Sequence, residues 1–180
     1  GPAAGRRKLK FALMSAAEKD ACLRGIADAV EAQSAAILAA NQKDLDAGTQ
    51  AGLTGDLLDR LKLDTKRLAG IAQAVREVAA LPDPVGKLDY ERRLPNGLLL
   101  RKVRVPIGVI GIIYESRPNV TVDAGVLCRK AGNPVLLRGG SEALHSNLAL
   151  AAAMSAGAAA AGLPAGAVTL LPWTDRAAVT

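Results

Sequence analysis

Residues Val103–Asn147 read VRVPIGVIGIIYESRPNVTVDAGVLCRKAGNPVLLRGGSEALHSN, and the period of the apolar positions changes twice within them. After Pro106, the run from Ile107 to Tyr114 is apolar and rich in Ile, as expected of a strand buried on both faces. A polar turn follows. Thr121 to Lys130 then has helical spacing, and Gly132-Asn133 ends it. Pro134 to Arg138 predicts a second buried strand, Ser141 to Ala161 a helix closed by AGLPAG, and Val168 to Leu171 a third strand. The order strand, helix, strand, helix, strand predicts right-handed βαβ units on a parallel sheet. Ligands of such sheets lie beyond the carboxyl ends of the strands. Here those ends are YESRPN, RGGS and PWTDR, and a binding site is expected at the three loops together.

Upstream the pattern is helical from Ser15 to about Ala80. Ser15-Ala-Ala-Glu18 has capping-box spacing, and Leu23, Ile26, Ala27 and Val30 follow at three- and four-residue intervals on one face. A second helix is predicted over Ala35 to Ala47, ending near Gly48. A short one begins at Thr54-Gly-Asp56, and another is capped by Asp64 and stopped by the prolines of LPDPVG. Two runs then flank Pro95-Asn96-Gly97, and Asn-Gly between strands is a strong hairpin signal. Leu98, Leu100 and Val103 do not alternate cleanly with charges, so a long, partly exposed ribbon is expected, suited to docking or oligomerisation because a bare edge invites pairing. The chain thus divides into a helical part over 1–87, a hairpin over 88–105 and a βαβαβ part over 106–180.

Composition bounds the function. Of 180 residues, 50% are apolar and 2% aromatic, with many Ala, which is ordinary α/β composition. No apolar run reaches the ~18–20 residues that span a bilayer. The apolar core of KLKFALMSAAEKD is short and runs into charge, unlike a secretion signal, and a cytoplasmic chain is expected. The net charge of +6 favours anions. Its Lys and Arg are interleaved with acids and lack stacking aromatics, so nucleic acid is not expected as a partner. Cys22 and Cys128 fall in helical patterns with no His or second Cys at metal-ligand spacing, so they read as buried apolar residues, and no metal site is expected.

The loops carry the chemistry. Gly108-Val-Ile-Gly111 is not the dinucleotide fingerprint, and its glycines read as close-packing positions. Arg138-Gly139-Gly140-Ser141 admits two readings. Glycines, a fixed cation and the amino end of the next helix suit an anionic ligand; a tight turn with a Ser N-cap is the other. The cluster Glu115, Ser116, Arg117 and Asn119, stiffened by Pro118, is what an anionic substrate or oxyanion would need. His145, the single histidine, reads as a helix-surface or capping residue, with proton donation as the alternative.

VPIGVIGIIYESRPNVTVDA, AGNPVLLRGGSEALHSN and TDRAAV resemble the glutamate-5-semialdehyde dehydrogenase family of the aldehyde dehydrogenase superfamily. ILAANQKDLDAG, LLDRL and ALPDPVG resemble its N-terminal helices. The resemblance implies an α/β fold with part of a parallel Rossmann-like sheet, and a hairpin belonging to an oligomerisation flap of a homo-oligomer. It implies NADPH-dependent reduction of γ-glutamyl phosphate to glutamate 5-semialdehyde and phosphate, through a cysteine thiolate, in proline synthesis. The cofactor would be held by Tyr114, Glu115, Arg138, Gly139, Gly140, Ser141, Glu142, Pro172, Trp173 and Thr174, with Arg138 suited to the 2′-phosphate of NADPH/NADP. The substrate would meet Ser116, Arg117 and Asn119, and Asn119 would donate to the oxyanion. The family's nucleophilic cysteine lies in a later domain, so the resemblance implies that the reacting thiol is not in this chain, which alone would be inactive and either marginally stable or paired through an open edge. A stand-alone nucleotide-binding module is the competing reading.

Overall fold

Local capping sets where the helices begin. The computed structural model of the chain describes residues 14–115, 117–162 and 168–172. Ser15 and Glu18 form the predicted reciprocal box: Glu18 N donates to Ser15 Oγ at 3.3 Å and Ser15 N to Glu18 Oε2 at 2.7 Å. They open α1, Ala16–Ala32. α2 is Ser34–Gln50, running three residues beyond the predicted Ala47 and through Gly48, and α3 is the short Asp56–Leu61. Asp64 Oδ1 accepts from Arg67 N at 2.7 Å and caps α4, Thr65–Ala80.

The antiparallel hairpin β1, Leu88–Arg93, and β2, Leu99–Val103, comes next, and every strand residue in it is exposed. Its turn closes as the Asn-Gly signal requires, with Gly97 at φ 87° and Leu98 N donating to Asn96 Oδ1 at 3.1 Å.

The parallel sheet has the order β3 (Ile110–Ile113), β4 (Val135–Arg138), β5 (Val168–Leu170). Helix α5, Asn119–Lys130, joins the first pair. A 3₁₀ turn, Ser141–Ala143, and helix α6, Leu144–Ala160, join the second. Strands progressing in one direction through right-handed crossovers place both helices over the same face. Burial agrees: Val135 and Leu137 are buried while Leu136 between them is exposed, and Ile113 is exposed on the neighbouring strand. The expectation of strands buried on both faces is therefore corrected, because among the described residues helices cover one face only. The first strand is also shorter than Ile107 to Tyr114. Val105 and Ile107 precede it, 73% and 86% exposed.

The glycines expected to permit close packing do something else. Gly108 lies before the strand at φ 119°, where only glycine is at ease, and no atom would crowd a Cβ there or on Gly111. Close packing belongs instead to Gly25 and Gly157, where α1 crosses α6: a Cβ on Gly157 would stand 2.3 Å from the Gly25 carbonyl oxygen. The core runs from α1 through α4, α5 and α6 to the covered face of the sheet, with Leu23, Ile26, Leu68, Val75, Val122, Leu137, Leu150 and Met154 within it. Two buried lysines pin its edge. Lys19 pairs with Asp83 at 2.5 Å, and Lys130 pairs with Asp20 at 2.5 Å while donating to the Ala79 carbonyl at 2.8 Å.

Candidate functional site

The parallel register sets Ile113 beside Arg138 and Leu137 beside Leu170. The ladder continues past the strands, with Tyr114 N donating to Arg138 O at 3.1 Å and Leu171 N to Leu137 O at 2.8 Å. Tyr114, Arg138–Gly139 and Leu171–Pro172 therefore lie side by side at one end of the sheet, as the topology predicts. Ser116, Trp173 and Thr174 lie outside the described residues.

At the second tip the glycines leave room that neighbouring side chains occupy. A Cβ on Gly139 would stand 2.2 Å from Asn147 Nδ2 and 3.3 Å from Tyr114 Cζ; one on Gly140 would stand 2.4 Å from Glu142 Oε1. The space a side chain would take is thus filled by Asn147, Tyr114 and Glu142. Asn147 is buried. Its Oδ1 accepts from Thr121 Oγ1 at 3.0 Å, and Thr121 Oγ1 is 2.6 Å from the Tyr114 hydroxyl. Its Nδ2, pressed under Gly139, has no hydrogen-bond partner. Burial pushes the Tyr114 phenol up, and the Thr121 bond offsets this only in part. The phenol is a neutral strut tying the first tip to the second.

The Ser N-cap reading of Ser141 does not hold. Ser141 makes no capping bond, and the amides at the start of α6 are met from a distance. Asp44 of α2, almost wholly buried, accepts from His145 N at 3.1 Å, Ser146 N at 2.7 Å and Ser146 Oγ at 2.5 Å. Its carboxylate occupies the anion position that this helix terminus offers, so these two amides are not available to a ligand. His145 also places Nδ1 2.8 Å from Asp44 Oδ1, so its half-exposed ring pairs with the capping carboxylate at the helix surface and does not itself cap the helix. Asn41 extends the network: it donates to Leu61 O at 2.8 Å and Ser146 Oγ at 3.0 Å, and accepts from Leu63 N at 2.8 Å.

The first tip opens sideways. Glu115 and Arg117 are exposed, Pro118 is buried, and Asn119 begins α5 with Nδ2 donating to Asp123 Oδ2 at 2.9 Å. Arg117, Asn119 and Asp123 form one wall of a cavity of about 480 Å³. The opposite wall comes from α3, the link after it, and α4: Asp59, Arg60, Lys62, Arg67 and Ile71 among others. Its volume falls within the range of small-molecule sites, roughly 300–1,000 Å³. Arg67 is committed, pairing with Asp59 at 2.7 Å. Arg60, Lys62 and Arg117 have no ion-pair partner among the described residues. Burial pushes the Asp123 carboxyl up, against the pull of the Asn119 amide.

Of the substrate residues expected from sequence, the fold brings Arg117 and Asn119 into this cavity; of the cofactor residues, it joins Tyr114 to Arg138 and Gly139, with Pro172 exposed on the adjacent strand's end. Asp123 and the basic residues Arg60 and Lys62 were not singled out. The four-residue spacing of Asn119 and Asp123 at a helix start was the available signal; nothing local marks Arg60. Neither cysteine lines the cavity. Both are buried, which pushes both thiols up, although the charge of Arg129 pulls Cys22 the other way, and thiols so placed are poor nucleophiles.

No protein-family model matches the chain. Over 180 residues it is 52% identical to a γ-glutamyl phosphate reductase of Geobacter sp. strain M21, covering 99% of this chain and 43% of that protein. The crystal structure of γ-glutamyl phosphate reductase from Thermotoga maritima superposes with a TM-score of 0.92 at 38% identity, covering 97% of this chain and 42% of that one. An acetylating aldehyde dehydrogenase from Geobacillus thermoglucosidasius shares the fold, with a TM-score of 0.72 at 18% identity over 96% of this chain and 35% of that one. The chain spans less than half the length of the relatives it matches. Half its residues, from end to end, are those of such proteins, on the same backbone: the chain is similar throughout to a segment of proteins named γ-glutamyl phosphate reductase.

Proposed function

We propose that this chain forms the cofactor tips and one substrate wall of an enzyme that reduces γ-glutamyl phosphate to glutamate 5-semialdehyde and phosphate in proline synthesis. The observation that carries this reading is the junction at the sheet's carboxyl end, where Tyr114, Arg138 and Gly139 meet beside a basic cavity. Relatives named as a reductase and as aldehyde dehydrogenases support a nicotinamide cofactor. The second tip offers such a group the Arg138 cation, while Asn147 and Glu142 pack against its two glycines and set the shape of the turn. When bound, the nicotinamide supplies hydride. Arg138 faces the 2′-phosphate that distinguishes NADPH, Gly139 to Glu142 hold the adenosine end, and Pro172 to Thr174 flank the adenine.

In the same reading Ser116, Arg117 and Asn119 meet the substrate. The Asn119 amide has a second N–H beyond the one given to Asp123, and this donates to the oxygen on which charge develops when the acyl carbonyl is attacked. The attacking thiolate belongs to the part of the relatives' length that this chain does not span. The hairpin serves as the oligomerisation arm. A stand-alone nucleotide-binding module is less well supported, because the relatives bearing the reductase name extend over more than this chain.

In the reductase that contains this segment, Arg138→Ala should raise KM for NADPH roughly 10- to 100-fold, the loss of about one charge-assisted contact, and leave KM for NADH within a few-fold. Equal losses for both cofactors would remove Arg138 from the 2′-phosphate. Asn119→Ala should lower kcat by roughly 100-fold if the amide serves the oxyanion; a rate within twofold of wild type would return it to orienting Asp123.

A further inference from the structure

Substrate reduction and the three tips leave the floor of the lateral cavity without a role. A γ-glutamyl phosphate carries three kinds of charge: an acyl phosphate at the reacting end, and a carboxylate and an ammonium at the other. Basic side chains suit two of these. The cavity offers four, Arg60, Lys62, Arg67 and Arg117, of which Arg67 is already spent on Asp59. An ammonium needs an acceptor, and the cavity wall contains a carboxylate with that capacity. Asp123 is half-buried on α5, and its Oδ2 is fixed by the Asn119 amide. Its Oδ1 has no donor among the described residues. Of the two carboxylates lining the cavity, Asp59 is two-thirds exposed and already bound to Arg67, so Asp123 is the acceptor that remains.

We infer that Asp123 receives the α-ammonium of the substrate, while Arg60, Lys62 and Arg117 supply the cationic wall for its carboxylate, so that this cavity selects α-amino acid chains over their des-amino counterparts. The assignment rests on the reductase reading and specifies which end of the substrate this wall recognises. It also accounts for an acidic residue kept half out of water in a pocket whose other carboxylate, Asp59, is already paired with Arg67. Burial holds its carboxyl up when the pocket is empty, and an ammonium partner reverses that cost. One turn of helix separates Asn119 from Asp123, so the group facing the reacting carbonyl and the group fixing the amine would sit on a single rigid element.

The test uses the reductase containing this segment, run in the phosphate-dependent oxidative direction on two aldehydes. Glutamate 5-semialdehyde carries the amine; 5-oxopentanoate has the same carboxylate and aldehyde without it. Asp123→Asn is expected to raise KM for the amino aldehyde roughly 10- to 100-fold, the loss of a charged hydrogen bond. The loss on 5-oxopentanoate should be smaller by roughly fivefold or more, any loss shared by the two aldehydes reporting the disturbed Asn119 bond. Asp123→Glu should recover at least part of the discrimination. Equal losses on both aldehydes, or no loss on the amino aldehyde, would overturn the assignment, the second substrate reporting whether the variant is intact. A wild-type enzyme that turns over neither aldehyde would instead overturn the reductase reading, and this inference with it.

Discussion

Asp83 lies in the loop that ends the helical layer, and its carboxylate neutralises a lysine that has almost no contact with water. Burial alone would raise the Asp83 pKa. The Lys19 hydrogen bond, the Val85 N–H and the charges of Lys19 and Lys130 outweigh it, and the carboxyl sits below its ordinary value. A carboxyl depressed in the folded state contributes stability above its unfolded pKa, near 3.9, and loses it as pH falls through the folded value. Asp83→Asn should therefore cost about 3 kcal/mol at pH 7, since it orphans a buried ammonium, and the gap to wild type should close below about pH 4. Urea melts of both proteins from pH 7 to pH 3 check this; a gap that persists unchanged in acid would mean that Asp83 acts by shape rather than charge. Single residues of this kind are poorly legible in a sequence. LPDPVG announces a helix stop, but nothing adjacent to it points to a lysine more than sixty positions earlier.

Elements were more readable than residues where the signal was local. The Ser15–Glu18 box, the Asp64 cap and the Asn96-Gly97 turn form as their spacing predicts because each satisfies its own backbone within a few residues. Elements that answer to distant partners were misread. Ser141 looks like a cap but the start of α6 is served by Asp44, and Gly108 and Gly111 look like packing glycines although the crowded crossing is Gly25 against Gly157. At that crossing both clashing atoms are backbone, which cannot rotate away. Gly157→Ala should force α1 and α6 apart and lower stability by roughly 2–4 kcal/mol, whereas Gly70→Ala, with open space around it on α4, should be neutral or slightly stabilising. Thermal melts of the two variants separate these outcomes.

For the whole molecule, the parallel sheet and its three tips followed from the alternation of strand and helix, whereas the lateral cavity could not be foreseen, because its walls come from segments far apart in the chain, one ending at Ala74 and the other beginning at Arg117. The hairpin leaves Leu88, Tyr90, Leu98, Leu99, Leu100 and Val103 exposed on one ribbon, and a two-stranded hairpin is at best marginally stable without a partner for its apolar side chains. If the ribbon is the proposed oligomerisation arm, Leu100→Asp on β2 should shift the protein containing this segment toward smaller species in sedimentation velocity, without changing the helical signal in circular dichroism. An unchanged sedimentation coefficient at micromolar concentration would take the ribbon out of the oligomer interface.

The Asp44 clamp on Ser146 joins positions 102 residues apart. Closing so wide a ring costs little more entropy than closing a narrow one, but it must wait for the intervening polypeptide to collapse, and contacts of this range slow folding. The start of α6 beside the Arg-Gly-Gly-Ser turn thus depends on the N-terminal layer for its cap, and an excised peptide of β4, turn and α6 would have the right letters without the Asp44 carboxylate that holds that helix start.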